Sequence, residues 1–222
     1  MRLESISQSE AARYMGVRGE ATQQVQSLLD KAEKNICELI SPKYVYRSTE
    51  LNFTNNGIYI DQMQMPLTGV DIAKHLNGCK GVILFAATLT ADADKLIRQA
   101  GVNDMAYALA LDCMCSAAIE KVCDIAENEI FTEIKSAYRT WRFSPGYGDF
   151  PLNIQNEFLR YLNASRRIGL TATENSLLVP SKSVTAVIGY SDIPIEKGAR
   201  KCAVCNMREN CAFAANGGCN NR

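Results

Sequence analysis

Ten residues, "KGVILFAATL" from Lys80 to Leu89, restrict what this chain can fold into more than any others. They are apolar almost throughout and rich in β-formers, so they predict a strand buried inside a core. The text around them decides the class. A short helix, "TGVDIAKHLNG", ended by Gly78, precedes the strand. Thr90 can cap a helix over "ADADKLIRQAG", and a long helix is expected from about Asn103 to about Ala137. Near the start, "SQSE" (Ser7 to Glu10) reads as a capping box for a short helix that Gly16 and Gly19 break. From Glu20 to Ile40 the period is helical, with Val25, Leu28, Leu29, Ala32, Ile36 and Leu39 on one face and Pro42 as the stop. "KYVYRSTELNF", "TNNG" and "IYIDQM" read as strand, turn and returning strand. Later, Asn153 can cap "IQNEFLRYLNA", while "IGLTATENSLLV" and "KSVTAVIGYS" flank the turn "PSKS". Helices mixed with hairpins, without a regular strand–helix repeat, predict an α+β fold: a largely antiparallel sheet with flanking helices. The expected organisation is a single domain over residues 1–193 and a Cys-rich tail over residues 194–222.

Composition narrows the function classes. Of 222 residues, 47% are hydrophobic, enough for a substantial core. Lys plus Arg equals Asp plus Glu, 24 each, which argues against a nucleic-acid or acidic-membrane partner. No apolar run follows a basic start, and none approaches the roughly 20 residues of a spanning helix, so a soluble cytoplasmic protein is expected. Five of the nine Cys (Cys37, Cys79, Cys113, Cys115 and Cys123) sit among apolar neighbours and read as small buried hydrophobes. There is no phosphate loop and no GxGxxG after a strand. The only His, His75, stands beside Lys74 in polar helical text and is expected at the surface, which leaves little room for a His-based triad or metal site.

One stretch carries unusual chemistry: "WRFSPGYGDFPL", Trp141 to Leu152. Pro145 fixes its own φ and pushes Ser144 towards an extended conformation. Gly146 and Gly148 permit torsions closed to other residues and leave room for close approach. Arg142 brings a permanent charge with a planar donor fork suited to a carboxylate. Tyr147 adds an aromatic face and a hydroxyl. Bare backbone, a carboxylate receptor and an aromatic wall suit a small zwitterionic ligand with an apolar part; a purely structural turn uses the same residues.

"RFSPGY" resembles the R-x-x-P-G-Y signature of the reactivation domain of cobalamin-dependent methionine synthase. Downstream, "IGLTATENSLLVPSKSVTAVIGYS", Ile168 to Ser191, resembles that family's Gly, Thr-Glu-Ser, Pro and Ser-Val-Ser segment in order and spacing, with Asn175 and Thr185 where the pattern has Ser. Upstream, "LNGCKGVILFAATLTADADKLIRQ", "LDCMCSAAIEKVCD" and "EAARYMGVRG" resemble its short, free-standing members. "GDFPL" stands where the full-length enzymes carry a Cys-Pro-Asp/Glu-His run, and "VIGYS" lacks their aromatic pair.

The resemblance implies a job. A corrinoid that has slipped to inactive cob(II)alamin is reduced by an external donor such as flavodoxin or ferredoxin, and S-adenosylmethionine traps it as methylcobalamin. Such a protein is an activation subunit with methyltransferase chemistry in methionine biosynthesis. Arg142 would take the methionine carboxylate, and Ser144 and Gly146 would offer backbone. Tyr147 would wall the site beside the methyl group and act closest to catalysis. Glu120 would face the amino group or sulfonium, and Glu174 matches the Glu of Thr-Glu-Ser. The chain has no corrin-binding Asp-x-His-x-x-Gly signature. Its cobalamin would be carried by a partner, either a methionine synthase lacking this domain or another corrinoid protein. Two other readings stand beside this one: a non-catalytic module that binds S-adenosylmethionine or corrinoid, and a small redox protein built on the tail.

That tail, "KCAVCNMRENCAFAANGGC", spaces Cys202, Cys205, Cys211 and Cys219 as C-x2-C-x5-C-x7-C. The C-x2-C pair can place two thiolates on one metal, and the other two can close a four-sulfur shell. An iron–sulfur cluster, a structural zinc, or Cys without metal remain open.

Overall fold

The computed structural model describes residues 1–136 and 138–195. The tail and its proposed ligands, Cys202, Cys205, Cys211 and Cys219, lie outside the described residues.

Helix α1 (Gln8–Tyr14) begins as its sequence predicts: the Ser7 side chain accepts from the Glu10 amide at 3.3 Å. Thr22 does the same for α2 (Gln23–Leu39), accepting from the Val25 amide at 3.4 Å. The α2 face is narrower than its pattern suggests. Leu29, Ala32 and Ile36 are buried, while Leu39 is 59% exposed in the last turn. Beyond Pro42 come β1 (Lys43–Glu50) and a separate antiparallel hairpin of β2 (Asn52–Thr54) and β3 (Gly57–Tyr59), turning on "TNNG". Helix α3 (Val70–Leu76) leads into β4 (Gly81–Thr88). All eight β4 residues are buried, as an unbroken apolar strand requires.

Helix α4 (Thr90–Asn103) departs from expectation at its start. Thr90 is not its cap: it sits inside the helix at φ 68°, and its amide donates to the Thr88 hydroxyl at 2.9 Å. Helix α5 (Met105–Ile134) is capped by Asp104, whose carboxylate accepts from the Tyr107 amide at 2.9 Å. Along its middle, α5 is buried almost all round, and Cys113, Cys115, Ala117, Ala118 and Cys123 are among the residues enclosed. Small side chains there let neighbouring elements approach closely, which is why Cys occurs among them. None of the five described Cys forms a disulfide; Cys37 alone is only half-buried.

The remaining elements are β5 (Tyr138–Arg139), a 3-10 turn (Leu152–Ile154), α6 (Gln155–Leu162), α7 (Ala164–Ile168), β6 (Thr171–Ala172), β7 (Leu178–Val179) and β8 (Ser183–Ser191). The "PSKS" turn does not join a hairpin. β7 pairs back on β6, and β8 departs to the main sheet, whose order is β1-β4-β8-β5. The sheet is antiparallel: the Leu89 amide donates to Lys182 O at one end of the β4–β8 pair, and Lys80 to Tyr190 O at the other, both at 2.9 Å. β5 runs antiparallel to β8, Tyr138 opposite Ser191. The fold is therefore α+β, as the pattern predicts. No helix among the described residues is long and apolar enough to cross a membrane.

Two compact units make up the chain, each assembled from separated segments. The first comprises Met1–Arg47, Leu84–Lys135 and Gln155–Thr185. In it α5 packs against α1, α2 and α4. Tyr44 donates to Glu129 at 2.7 Å, and Tyr46 to Glu133, so alternate β1 residues meet acids one helical turn apart. The second comprises Ser48–Ile83, Ser136–Ile154 and, among the described residues, 186–195.

Candidate functional site

The stretch after β5 is built by main-chain bonds. Thr140 and Gly189 bond reciprocally, Thr140 N to Gly189 O at 2.9 Å and Gly189 N to Thr140 Oγ1 at 2.8 Å. Phe143 and Val187 exchange both amide bonds, at 2.9 and 2.8 Å. Residues 140–143 thus continue along β8 as an extended edge. In an extended segment alternate side chains point to opposite faces. The rings of Trp141 and Phe143 meet at 5.1 Å, so the half-buried Arg142 between them is turned to the other face.

Past Phe143 the chain folds into a tight loop. The Tyr147 amide donates to Ser144 O at 3.0 Å, Phe150 to Tyr147 O at 2.9 Å, and Gly146 to Phe150 O at 2.8 Å. Pro145 is buried as the pivot, and Gly146 takes φ 91°, a torsion that disfavours any side chain. Gly146 is exposed, and Tyr147 is 53% exposed. Its ring is braced at 5.9 Å, edge to face, by the buried Phe143. Arg142, Ser144, Gly146 and Tyr147 therefore share one pre-shaped loop, with bare backbone and an aromatic face presented outwards.

Glu120 and Glu174 belong to the other unit. Glu120 is half-buried on α5, and its charge helps raise the Tyr14 hydroxyl pKa, after burial and Glu10. Glu174 is exposed at the tip of the β6–β7 hairpin. The shaping of that tip falls to Thr173 instead: its amide donates to Leu177 O at 2.9 Å, and its hydroxyl accepts from the Leu177 amide at 3.1 Å.

His75 contradicts its sequence reading. It is not a surface residue: its ring lies 4.8 Å from Trp141 and 4.9 Å from Phe143, and its Nε2 is buried without a hydrogen-bond partner. Burial pushes its pKa down to about 4, against a smaller upward pull from the Trp141 carbonyl. The cause is tertiary: Lys74 faces water one position earlier, but the aromatic strip arrives from far along the chain. Sequence reasoning also passed over Asp149 and Lys182. Asp149 accepts from the Val70 amide at 2.6 Å and the Asp71 amide at 2.9 Å. Lys182 reaches Asp112 and Ser116, both at 2.9 Å, in the first unit. A "GYGD" turn is the one local signal for the former.

Comparison with known proteins bears on the fold. No family model matches the chain, and no curated protein matches it. Among solved structures it is similar to the crystal structure of the MetH reactivation domain bound to AdoHcy, with TM-score 0.64 and 15% identity over 88% of this chain and 77% of that one. The likeness is one of fold.

Proposed function

We propose that this chain binds S-adenosylmethionine on the Trp141–Phe150 loop and uses it to remethylate the corrinoid of a partner protein after one-electron reduction. The observation that carries this reading is the loop itself. A half-buried Arg142, an exposed Gly146 at φ 91° and a half-exposed Tyr147 braced by Phe143 stand together in an R-x-x-P-G-Y run. The similar solved fold is bound to AdoHcy, the product such a methyl transfer would leave. The residues fit the ligand. A planar guanidinium takes a carboxylate through two parallel bonds. The bare Gly146 backbone admits close approach, and the Tyr147 ring offers a face to the sulfonium.

In this chemistry the methyl leaves the sulfonium for the reduced cobalt of the partner's corrinoid, and S-adenosylhomocysteine remains. A donor such as flavodoxin or ferredoxin supplies the electron. The chain's own contribution is placement: Arg142 anchors the amino-acid end, and Tyr147 fixes the methyl in line, the kind of pre-orientation that replaces a bimolecular encounter.

Calorimetry of the full chain with S-adenosylmethionine tests the site. Arg142→Ala should weaken binding by about 2 kcal/mol, roughly thirtyfold, because a charge-assisted bidentate pair is lost. Arg142→Lys should recover only part, since Lys has no fork. Wild-type affinity in Arg142→Ala sinks the assignment. Mixing the protein with cob(II)alamin-loaded partner, a low-potential reductant and S-adenosylmethionine then separates turnover from mere binding: methylcobalamin forms only in the first case.

A further inference from the structure

Helix α3 meets the ligand loop at both of its ends. At the N-terminal end the contact is reciprocal. The Asp149 carboxylate accepts from the Val70 and Asp71 amides, and the Asp149 amide donates back to Asp71 Oδ2 at 3.3 Å. Two glycines make room for it. A Cβ on Gly69, at φ 128°, would stand 2.6 Å from Asp149 Oδ1. A Cβ on Gly148, at φ 54°, would collide with Asp71 Oδ2. The amides of Asp71 and then Val70 hold the Asp149 carboxyl below the usual carboxylate range. At the other end stands His75. Its ring packs on both neighbours of Arg142, 4.8 Å from Trp141 and 4.9 Å from Phe143, and its Nε2 is buried without a hydrogen-bond partner.

We propose that Asp149 and His75 are positioning residues: together they clamp the Arg142–Tyr147 loop onto α3 and hold it in its ligand-ready shape before any ligand arrives. Asp149 fixes the Gly148 corner, and so the direction of Tyr147. His75 fixes the Trp141–Phe143 edge, and so the direction of Arg142. That the clamp serves ligand capture rests on the function proposed above; that it holds the loop does not.

The test uses the full chain and two variants. Asp149→Asn keeps the volume but gives up one acceptor and the charge. His75→Ala removes the ring that packs on Trp141 and Phe143. Amide hydrogen exchange is followed at Gly146, Tyr147 and Phe150, with Val82 and Ile83 of β4 as the reference. A clamp predicts exchange at least about tenfold faster in the loop, with β4 unchanged, in both variants. In parallel, S-adenosylhomocysteine and 5′-methylthioadenosine, which lacks the amino-acid end, are titrated. For the His75 variant the clamp predicts about tenfold weaker binding of the first and little change for the second, because Arg142 is what His75 aims; for Asp149→Asn it predicts weaker binding of both, because Asp149 aims Tyr147. Restoration of a ring with His75→Phe should recover part of the exchange protection. Loop exchange that stays at wild-type rates, or a rise spread equally over β4, overturns the proposal. If either variant fails to fold, the other decides. If the wild-type chain binds neither nucleoside, the proposed function falls alone, and the exchange result still decides the clamp.

Discussion

Tyr147 is half-exposed, with its ring leaning on buried Phe143. If it orients the methyl group, Tyr147→Ala should slow remethylation more than it weakens S-adenosylmethionine binding, a loss in the transition state beyond that in the ground state. Rapid-mixing spectroscopy of the cobalamin beside calorimetry checks this; equal losses would make Tyr147 a binding wall only. His75 has the opposite character, and its effect is on stability. Its folded pKa is about 4 against an ordinary value of 6.5. Above 6.5 both folded and unfolded chains carry it neutral and no linkage arises. As pH falls from 6.5 towards 4, the unfolded chain takes a proton that the folded one resists, and stability drops, by at most about 3 kcal/mol. Denaturant melts at pH 7 and pH 4.5 should show His75→Phe losing less stability over that interval than the wild type. An equal loss in both would mean the ring is protonated freely.

At the scale of elements, α3 and the end of β8 are fitted to one another through a missing side chain. A Cβ on Gly189 would strike Cys79 Sγ and stand 2.9 Å from Leu76 Cδ2. Gly189→Ala should therefore destabilise the protein by about 1–3 kcal/mol through overpacking, read as a fall in Tm. Cys79→Ala opens the same space, so the double variant should lose less than the two singles combined. Additive losses would show that the crowding is relieved elsewhere. Elements of this kind explain what a sequence can and cannot disclose. The cap at Ser7, the apolar β4 and the long α5 were legible because each rests on local spacing. Thr90 misleads because a Thr before an acidic run looks like a cap, whereas it lies at positive φ with its amide on the Thr88 hydroxyl. The "PSKS" turn stands where its sequence puts it, between β7 and β8, but the partners of those two strands are chosen by distant residues. The Arg142–Tyr147 loop was legible as an odd composition. Its supports were not, since His75 and Asp71 lie far from it in the chain and only folding brings them together.

Across the whole molecule, the described residues hold no group of three or more His, Cys, Asp or Glu placed to bind a metal. The four tail Cys, Cys202, Cys205, Cys211 and Cys219, lie beyond those residues. If they hold an iron–sulfur cluster, anaerobic purification should give brown protein with iron and acid-labile sulfide; colourless protein with stoichiometric zinc would end the idea of an electron relay and leave the loop's role intact.

The loop's construction has a consequence for how such a protein changes over time. The bonds that shape it run through the main chain of Thr140, Phe143, Ser144, Gly146, Tyr147 and Phe150 and through Asp149. The atoms of these bonds are present whatever side chain stands at 142 or 147. Selection can thus rewrite the recognition surface at two positions while the architecture beneath it is inherited unchanged. A library randomised at Arg142 and Tyr147 should yield mostly folded proteins, among which new ligands can be sought.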